Sequence, residues 1–230
     1  MGNYLVIGGS SGIGKSVCEH LSKTHSVFAT YNEQETQDSK INYQKYDVLD
    51  DASTIDDIPE ELDGIVYCPG SISLKPFARI PAEAFLEDYK LNVLGAIKSV
   101  QAVLPNLKKS KSASIVFFST VAVQTGMGFH SIVASSKGAI EGLTKALSAE
   151  LAPHIRVNCI APSLTNTPLA SGLLSSEEKI AASAKRHPLQ RIGESKDIAN
   201  AVDFLLNDSS SWITGQIIAV DGGMGSIRMI

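Results

Sequence analysis

The stretch Tyr4-Leu5-Val6-Ile7-Gly8-Gly9-Ser10-Ser11-Gly12-Ile13-Gly14-Lys15 runs from four apolar residues through glycines into a helical repeat of Ile13, Val17 and Leu21. Four apolar residues ended by glycine read as a buried strand, and recurrence at i, i+4, i+8 reads as the inner stripe of a helix. A strand turning through glycines directly into a helix opens a βαβ unit. Glycine at 8, 12 and 14 permits the tight turn and lets backbone N–H groups reach an anion such as a pyrophosphate, which the helix N-terminus also attracts. A structural turn uses glycine as well, so the rest of the chain has to agree.

It does. Strands are expected at 27–30, 44–48, 64–67, 114–118, 155–160 and 216–220. Helices are expected from about Pro81 to Val103, with proline at a plausible first turn, and from Ser131 to Leu151. Seven strands alternating with helices predict an α/β fold, a doubly wound Rossmann-type seven-stranded parallel sheet flanked by helices. With no repeat, low-complexity tract or linker, residues 1–230 read as a single domain. Asn32 to Lys40 is polar and reads as a solvent-exposed loop or short helix. Residues 165–191 break the alternation with Pro168, Gly172 and Pro188, plus a helical patch from Glu177 to Lys185. An excursion of this length is usually a functional loop rather than an idle connection.

Composition narrows the function. The 230 residues are 43% hydrophobic with a formal net charge of −4, which argues against a nucleic-acid or anionic-membrane surface. No apolar run approaches the roughly 20 residues that span a bilayer, and no signal-peptide pattern opens the chain. Cys18, Cys68 and Cys159 are odd in number and widely spaced, as free thiols in a reducing compartment are. A cytoplasmic protein is expected. Five scattered histidines without paired carboxylates offer no metal site.

The glycines at 8, 12 and 14, Leu91-Asn92-Val93-x-Gly95, Ala134-Ser135-Ser136-Lys137, Ile213-Thr214-Gly215-Gln216 and Val220-Asp221-Gly222-Gly223 together resemble the short-chain dehydrogenase/reductase family along nearly the whole length. The resemblance implies a nicotinamide dinucleotide held by Gly8, Ser10, Ser11, Gly12, Ile13 and Gly14. Asp47 and Val48 would contact adenine, Thr167 would contact the nicotinamide amide, and Gly70 and Pro162 would belong to the cofactor site. Lys137 would hold the nicotinamide ribose, Asn92 would support a water relay to that lysine, and Thr120 would orient a carbonyl. The end of the second strand, Thr30-Tyr31-Asn32, has no carboxylate to repel a 2′-phosphate, so NADP(H) is preferred and NAD(H) is the alternative. Arg191-x-Gly193-x-x-x-Asp197-Ile198-Ala199 and Asp221-Gly222-Gly223 match segments that support subunit contacts in the family, so a homo-oligomer, dimer or tetramer, is implied. The terminal Ser226-Ile227-Arg228-Met229-Ile230 is apolar enough to dock on a neighbour or on its own core.

The departures matter as much. Val133 stands where the family has the tyrosine of Tyr-x-x-x-Lys, which exchanges a proton with the substrate oxygen. Tyr67-Cys68-Pro69-Gly70 replaces Asn-Asn-Ala-Gly, Ile7 replaces a threonine and Ser163 a glycine. Losing a general acid costs roughly 10²- to 10⁴-fold in rate, which is severe without being fatal. His130 lies seven residues before Lys137, the spacing that enoyl reductases of this superfamily give their tyrosine, and imidazole can donate a proton near neutral pH. His187 and Tyr89 have no place that sequence can fix. Dienoyl-CoA reductases, which resemble this family, also lack that tyrosine, and this turns the expectation toward an activated C=C bond, with C=O retained, on a small organic substrate. The alternative is a catalytically silent dinucleotide-binding sensor or assembly protein.

Overall fold

In β1 (Asn3–Ile7) the side chains alternate between two faces: Leu5 and Ile7 enter one core, Tyr4 and Val6 the other. The structure, a computed structural model, describes residues 1–228. Met229 and Ile230, and with them the end of the expected docking segment, lie outside the described residues. After β1 come α1 (Gly12–Leu21), β2 (Ser26–Tyr31), β3 (Ile41–Lys45), β4 (Gly64–Tyr67), α2 (Ala82–Tyr89) and α3 (Gly95–Leu107). They are followed by β5 (Ala113–Phe118), α4 (Val121–Thr125), α5 (Ser131–Leu151), β6 (Ile155–Pro162) and β7 (Thr165–Asn166). The chain closes with α6 (Glu177–Ala184), β8 (Gly193–Glu194), α7 (Ser195–Leu206) and β9 (Ile217–Val220).

Seven strands form one parallel sheet in the order β3-β2-β1-β4-β5-β6-β9, the Rossmann-type arrangement expected. Every residue of β4 and β5 is buried, as strands covered on both faces require. Val100, Val103 and Leu107 of α3 and Ile140 of α5 pack on one face against Leu5, Ile65, Ile115 and Phe117. On the other face Val17 and Leu21 of α1 meet Ile198, Val202 and Leu205 of α7 over Val6 and Val116. Each such buried side chain is worth about 1.5–3 kcal/mol relative to exposure, and that drives the three-layer arrangement.

Three boundaries differ from expectation. β3 occupies 41–45 rather than 44–48, because Asp47 leaves the ladder: its N–H donates to Ser53 Oγ and its carboxylate accepts from Leu49 N. The expected helix from Pro81 is α2 and α3 joined by a π-turn at Lys90–Leu94, and it runs on to Leu107 past Pro105. No helix is expected at 195–206, yet α7 forms there, its N-terminus closed by reciprocal bonds between Glu194 and Asp197. Residues 165–191 begin from a small parallel ladder, β7 with β8, and contain α6 where the helical patch is expected. No helix among the described residues is long and apolar enough to cross a membrane.

Candidate active site

β1 and β4 are neighbours from which the sheet grows in opposite directions, and their carboxyl ends bound the crevice where such sheets bind ligands. The two turns that leave them touch, for a Cβ on Gly8 would lie 3.2 Å from the Pro69 ring. Gly8 has φ +74° and Gly12 φ +52°, conformations that favour glycine. Gly14 is needed for another reason: its Cβ would stand 2.1 Å from the Gly8 carbonyl oxygen. The turn is therefore pressed onto the start of α1. Ser11 occupies the N-cap without a side-chain capping bond, so the helix start keeps amides for an anion.

Beside the crevice opens a cavity of about 480 Å³, and the sequence-predicted residues Ile13, Gly70, Thr120, His130, Lys137, Pro162 and Thr167 all line it. Thr167 reaches across toward the glycine-rich turn, its Cβ 3.5 Å from where Gly12 would carry one. Lys137 is buried on α5, one turn after Val133, and both face this cavity. Burial pushes the Lys137 ammonium down to about 8, against the opposing pull of Cys159, Asp88 and Cys68. Gly70 is the meeting point: a Cβ there would lie 3.3 Å from Asn92 Oδ1 and 3.5 Å from Lys137 Nζ. Asn92 sits in the π-turn and donates to the Asp88 carbonyl at 3.0 Å, and its buried Oδ1 has no protein partner.

Further groups complete the walls. Thr120 caps α4, its hydroxyl accepting from Ala122 N at 3.3 Å. Ser119 donates to Glu141 Oε1 at 2.6 Å, so its hydroxyl proton is committed within the wall. His130 Nδ1 lies 2.7 Å from the Gly128 carbonyl. Cys68 also lines the cavity, and burial holds its thiol up at about 12, with Lys137 pulling the other way.

Other expectations are corrected. Thr30 is not free to meet a 2′-phosphate: it is buried and its hydroxyl accepts the Gly8 N–H at 3.0 Å. That leaves Tyr31 and Asn32 at the exposed end of β2. Asp47 spends one carboxylate oxygen on Leu49 N, and Val48 is buried in the core, where a Cβ on Gly95 would come within 3.0 Å of it. Tyr89, which sequence leaves as a candidate to reach the pocket, is not among the residues lining the cavity and lies at the end of α2 with 39% exposure. His187, which sequence reasoning could not place, is buried and faces the cavity with Nε2 2.8 Å from Ser163 Oγ. The buried carboxylate of Asp88, hydrogen-bonded by Ser71, went unnoticed in the sequence as well.

A glycine-rich turn at the switch point of a parallel sheet, beside a cavity holding a buried lysine, defines a Rossmann-type α/β fold with a candidate site at its crevice. Residues 8–225 match the family model described as Enoyl-(Acyl carrier protein) reductase. A tropinone reductase homologue of Arabidopsis thaliana is 35% identical over 243 residues, covering 96% of this chain and 92% of its own length. L-xylulose reductase of Bos taurus is 37% identical over 152 residues, 65% of this chain and 62% of that protein. Among solved structures, ligand-free aldohexose dehydrogenase of Thermoplasma acidophilum superposes with a TM-score of 0.90 at 26% identity, covering 100% of this chain and 96% of that one. ElxO with NADP bound superposes at 0.87 with 27% identity, covering 99% of this chain and 100% of that one. The chain belongs to the short-chain dehydrogenase/reductase family.

Proposed function

We propose that this single-domain chain is an NADP(H)-dependent reductase acting on an activated C=C or C=O bond of a small organic substrate, with proton delivery that does not use a tyrosine. The observation that carries this reading is the convergence of Lys137 and the buried Asn92 on Gly70, in the wall of a cavity that Thr120 and Val133 also line. A silent protein has little use for a buried lysine whose charge is held at a cost.

The residues fit a dinucleotide. Gly8, Gly12 and the amides opening α1 form a cradle that Cβ atoms would fill, and Ser10 and Ser11 border it. Tyr31 and Asn32 would meet the adenosine end, and their lack of negative charge favours NADP(H), as does the bound NADP in the similar ElxO structure. Lys137 would hold the nicotinamide ribose, and Thr167 and Pro162 would border the ring. When bound, the reduced nicotinamide supplies a hydride. Thr120 would orient the substrate oxygen by donating its hydroxyl proton, and apolar side chains such as Phe118, Leu169 and Leu173 exclude water from the pocket. Self-association through the long helices is part of the same proposal.

Fluorescence titration of the purified protein with NADPH and NADH tests it first, followed by NADPH oxidation across a panel of enones, aldehydes and ketones. Tighter binding of NADPH and turnover of at least one panel member is the expected result. NADPH binding without any turnover would favour the silent sensor, to which Val133 already points. No binding of either nucleotide at millimolar concentration would overturn both.

A further inference from the structure

Ser163 and His187 lie 24 residues apart, on opposite sides of the excursion that covers the cavity, yet Ser163 Oγ is 2.8 Å from His187 Nε2. The other imidazole nitrogen, Nδ1, is 2.9 Å from the Ser183 carbonyl, which can only accept. Nδ1 therefore carries a proton and Nε2 of the neutral ring accepts from the Ser163 hydroxyl. Both side chains face the substrate cavity beside Pro162. They also face a second cavity of about 230 Å³ on the far side, bounded by Arg191, Asp197 and Asp221. The pair thus stands in the wall between the two spaces, and a cavity of that size accommodates several waters.

Resting on the reductase reading above, we propose that Ser163 is the proton donor that stands in for the missing tyrosine, with His187 supplying its proton from the outer cavity. Protonation of His187 reverses the bond between them: Nε2–H then donates to Ser163 Oγ and frees the hydroxyl proton. Met224 Sδ, 3.4 Å from Ser163 Oγ and also on the cavity wall, is a weak acceptor that keeps that proton on the substrate side. Bound reduced nicotinamide would supply the hydride for the new C–H bond, and the substrate's π electron pair would then rest on its oxygen, directly for a carbonyl or as an enolate for a conjugated C=C. Ser163 Oγ gives its proton to that oxygen and takes the one on His187 Nε2, leaving a neutral imidazole. Water in the outer cavity restores it. The charged residues lining the two cavities that His187 borders are Arg191 and Asp197 with Asp221 in the smaller and Lys179, Arg186 and Lys137 in the larger. Arg191 and Asp197 neutralise one another through a bond of 2.6 Å.

The variants Ser163→Ala, Ser163→Thr and His187→Gln test the relay, each checked for fold by thermal melting and for NADPH binding by fluorescence. Ser163→Ala is expected to bind NADPH like the parent while turnover of the best enone or carbonyl falls on the order of 10²-fold or more. Ser163→Thr retains the hydroxyl and most of the rate. His187→Gln, whose amide cannot pass a proton on as imidazole does, is expected to slow turnover by a factor similar to that of Ser163→Ala while NADPH binding stays at the parent level. NMR of the unloaded protein supplies a readout without catalysis, since Ser163→Ala removes the hydrogen bond at Nε2 and should move the Nε2 chemical shift of the His187 ring. Parent-like turnover in a folded Ser163→Ala, or an unmoved His187 Nε2 shift, overturns the relay and leaves the reductase reading standing. A parent that binds NADPH but turns over nothing overturns both.

Discussion

The Thr30 hydroxyl accepts the Gly8 N–H at 3.0 Å, and the next amide, Gly9 N–H, bonds to the Thr30 carbonyl at 2.9 Å, so β2 clamps the glycine-rich turn from beneath. Thr30→Val keeps the shape and leaves the Gly8 amide without its partner. The expected cost is about 1–3 kcal/mol, read by urea denaturation, with weaker NADPH binding. Thr30→Ser should recover most of both. A Thr30→Val protein as stable as the parent would show that water replaces the clamp.

Gly14 offers a sharper test of the turn. Its Cβ would stand 2.1 Å from the Gly8 carbonyl oxygen, a backbone atom fixed by the clamp. Gly14→Ala is expected to destabilise by about 3 kcal/mol or more and to abolish NADPH binding where the chain still folds. Gly172→Ala is the control, because nothing lies within 4 Å of its Cβ position. Thermal melting of the two variants side by side decides it.

The buried Lys137 has a stability signature with a definite sign. Its folded-state pKa is near 8, against 10.5 for an ordinary lysine. Between those values an unfolded Lys137 holds its proton and the native one does not, so its own contribution to stability rises from about pH 8 to 10.5. The buried thiols of Cys68 and Cys159, raised by burial, pull the opposite way, and the difference between parent and variant isolates the lysine. Below that window the charged lysine costs the fold about 3 kcal/mol at 1.36 kcal/mol per pH unit. Lys137→Met is therefore expected to be more stable than the parent at pH 7, with the gain shrinking toward pH 10.5, and to lose nicotinamide binding. Denaturant melts at four pH values check this, and a destabilised Lys137→Met at pH 7 would contradict it.

Arg156 fastens the last strands to α7. Nη1 donates to the Leu205 carbonyl at 2.9 Å and to Ser210 Oγ at 2.8 Å, and Nη2 to the Leu206 and Asn207 carbonyls at 3.3 Å. These are the carbonyls that a helix end leaves unpaired, and the guanidinium meets them with positive charge. Arg156→Met should cost about 3 kcal/mol, measured by urea denaturation, without changing the ratio of NADPH to NADH affinity. Parent-like stability in this variant would mean that water satisfies the helix end unaided.

Local pattern made much of this molecule legible. The β1 run, the glycines and the α5 periodicity each depend on residues within a turn or two, and the structure has them where expected. β3 slipped by three residues because Tyr46 and Val48 are apolar yet enter the core after the ladder has ended. Thr30 was assigned to the ligand because position along a strand does not say whether a side chain points out or under a turn. The Ser163 and His187 contact was beyond reach for a different reason: it joins the end of β6 to the far side of the covering excursion, and no periodicity links them.

Val133 itself supplies the remaining test. It lies in the cavity wall at 7% exposure, one helical turn before Lys137. Val133→Tyr places a phenol beside that ammonium, where the positive charge favours the phenolate and makes the hydroxyl a better acid. With Ser163 already donating, the gain in the parent background should be modest, under about tenfold. In the Ser163→Ala background the acid is absent and the same tyrosine should restore carbonyl reduction by the 10²- to 10⁴-fold that a general acid is worth. Double-mutant kinetics with NADPH and one ketone measure that difference directly. Equal gains in the two backgrounds would mean that the tyrosine and Ser163 serve separate tasks, and that the proton reaches the substrate by another route.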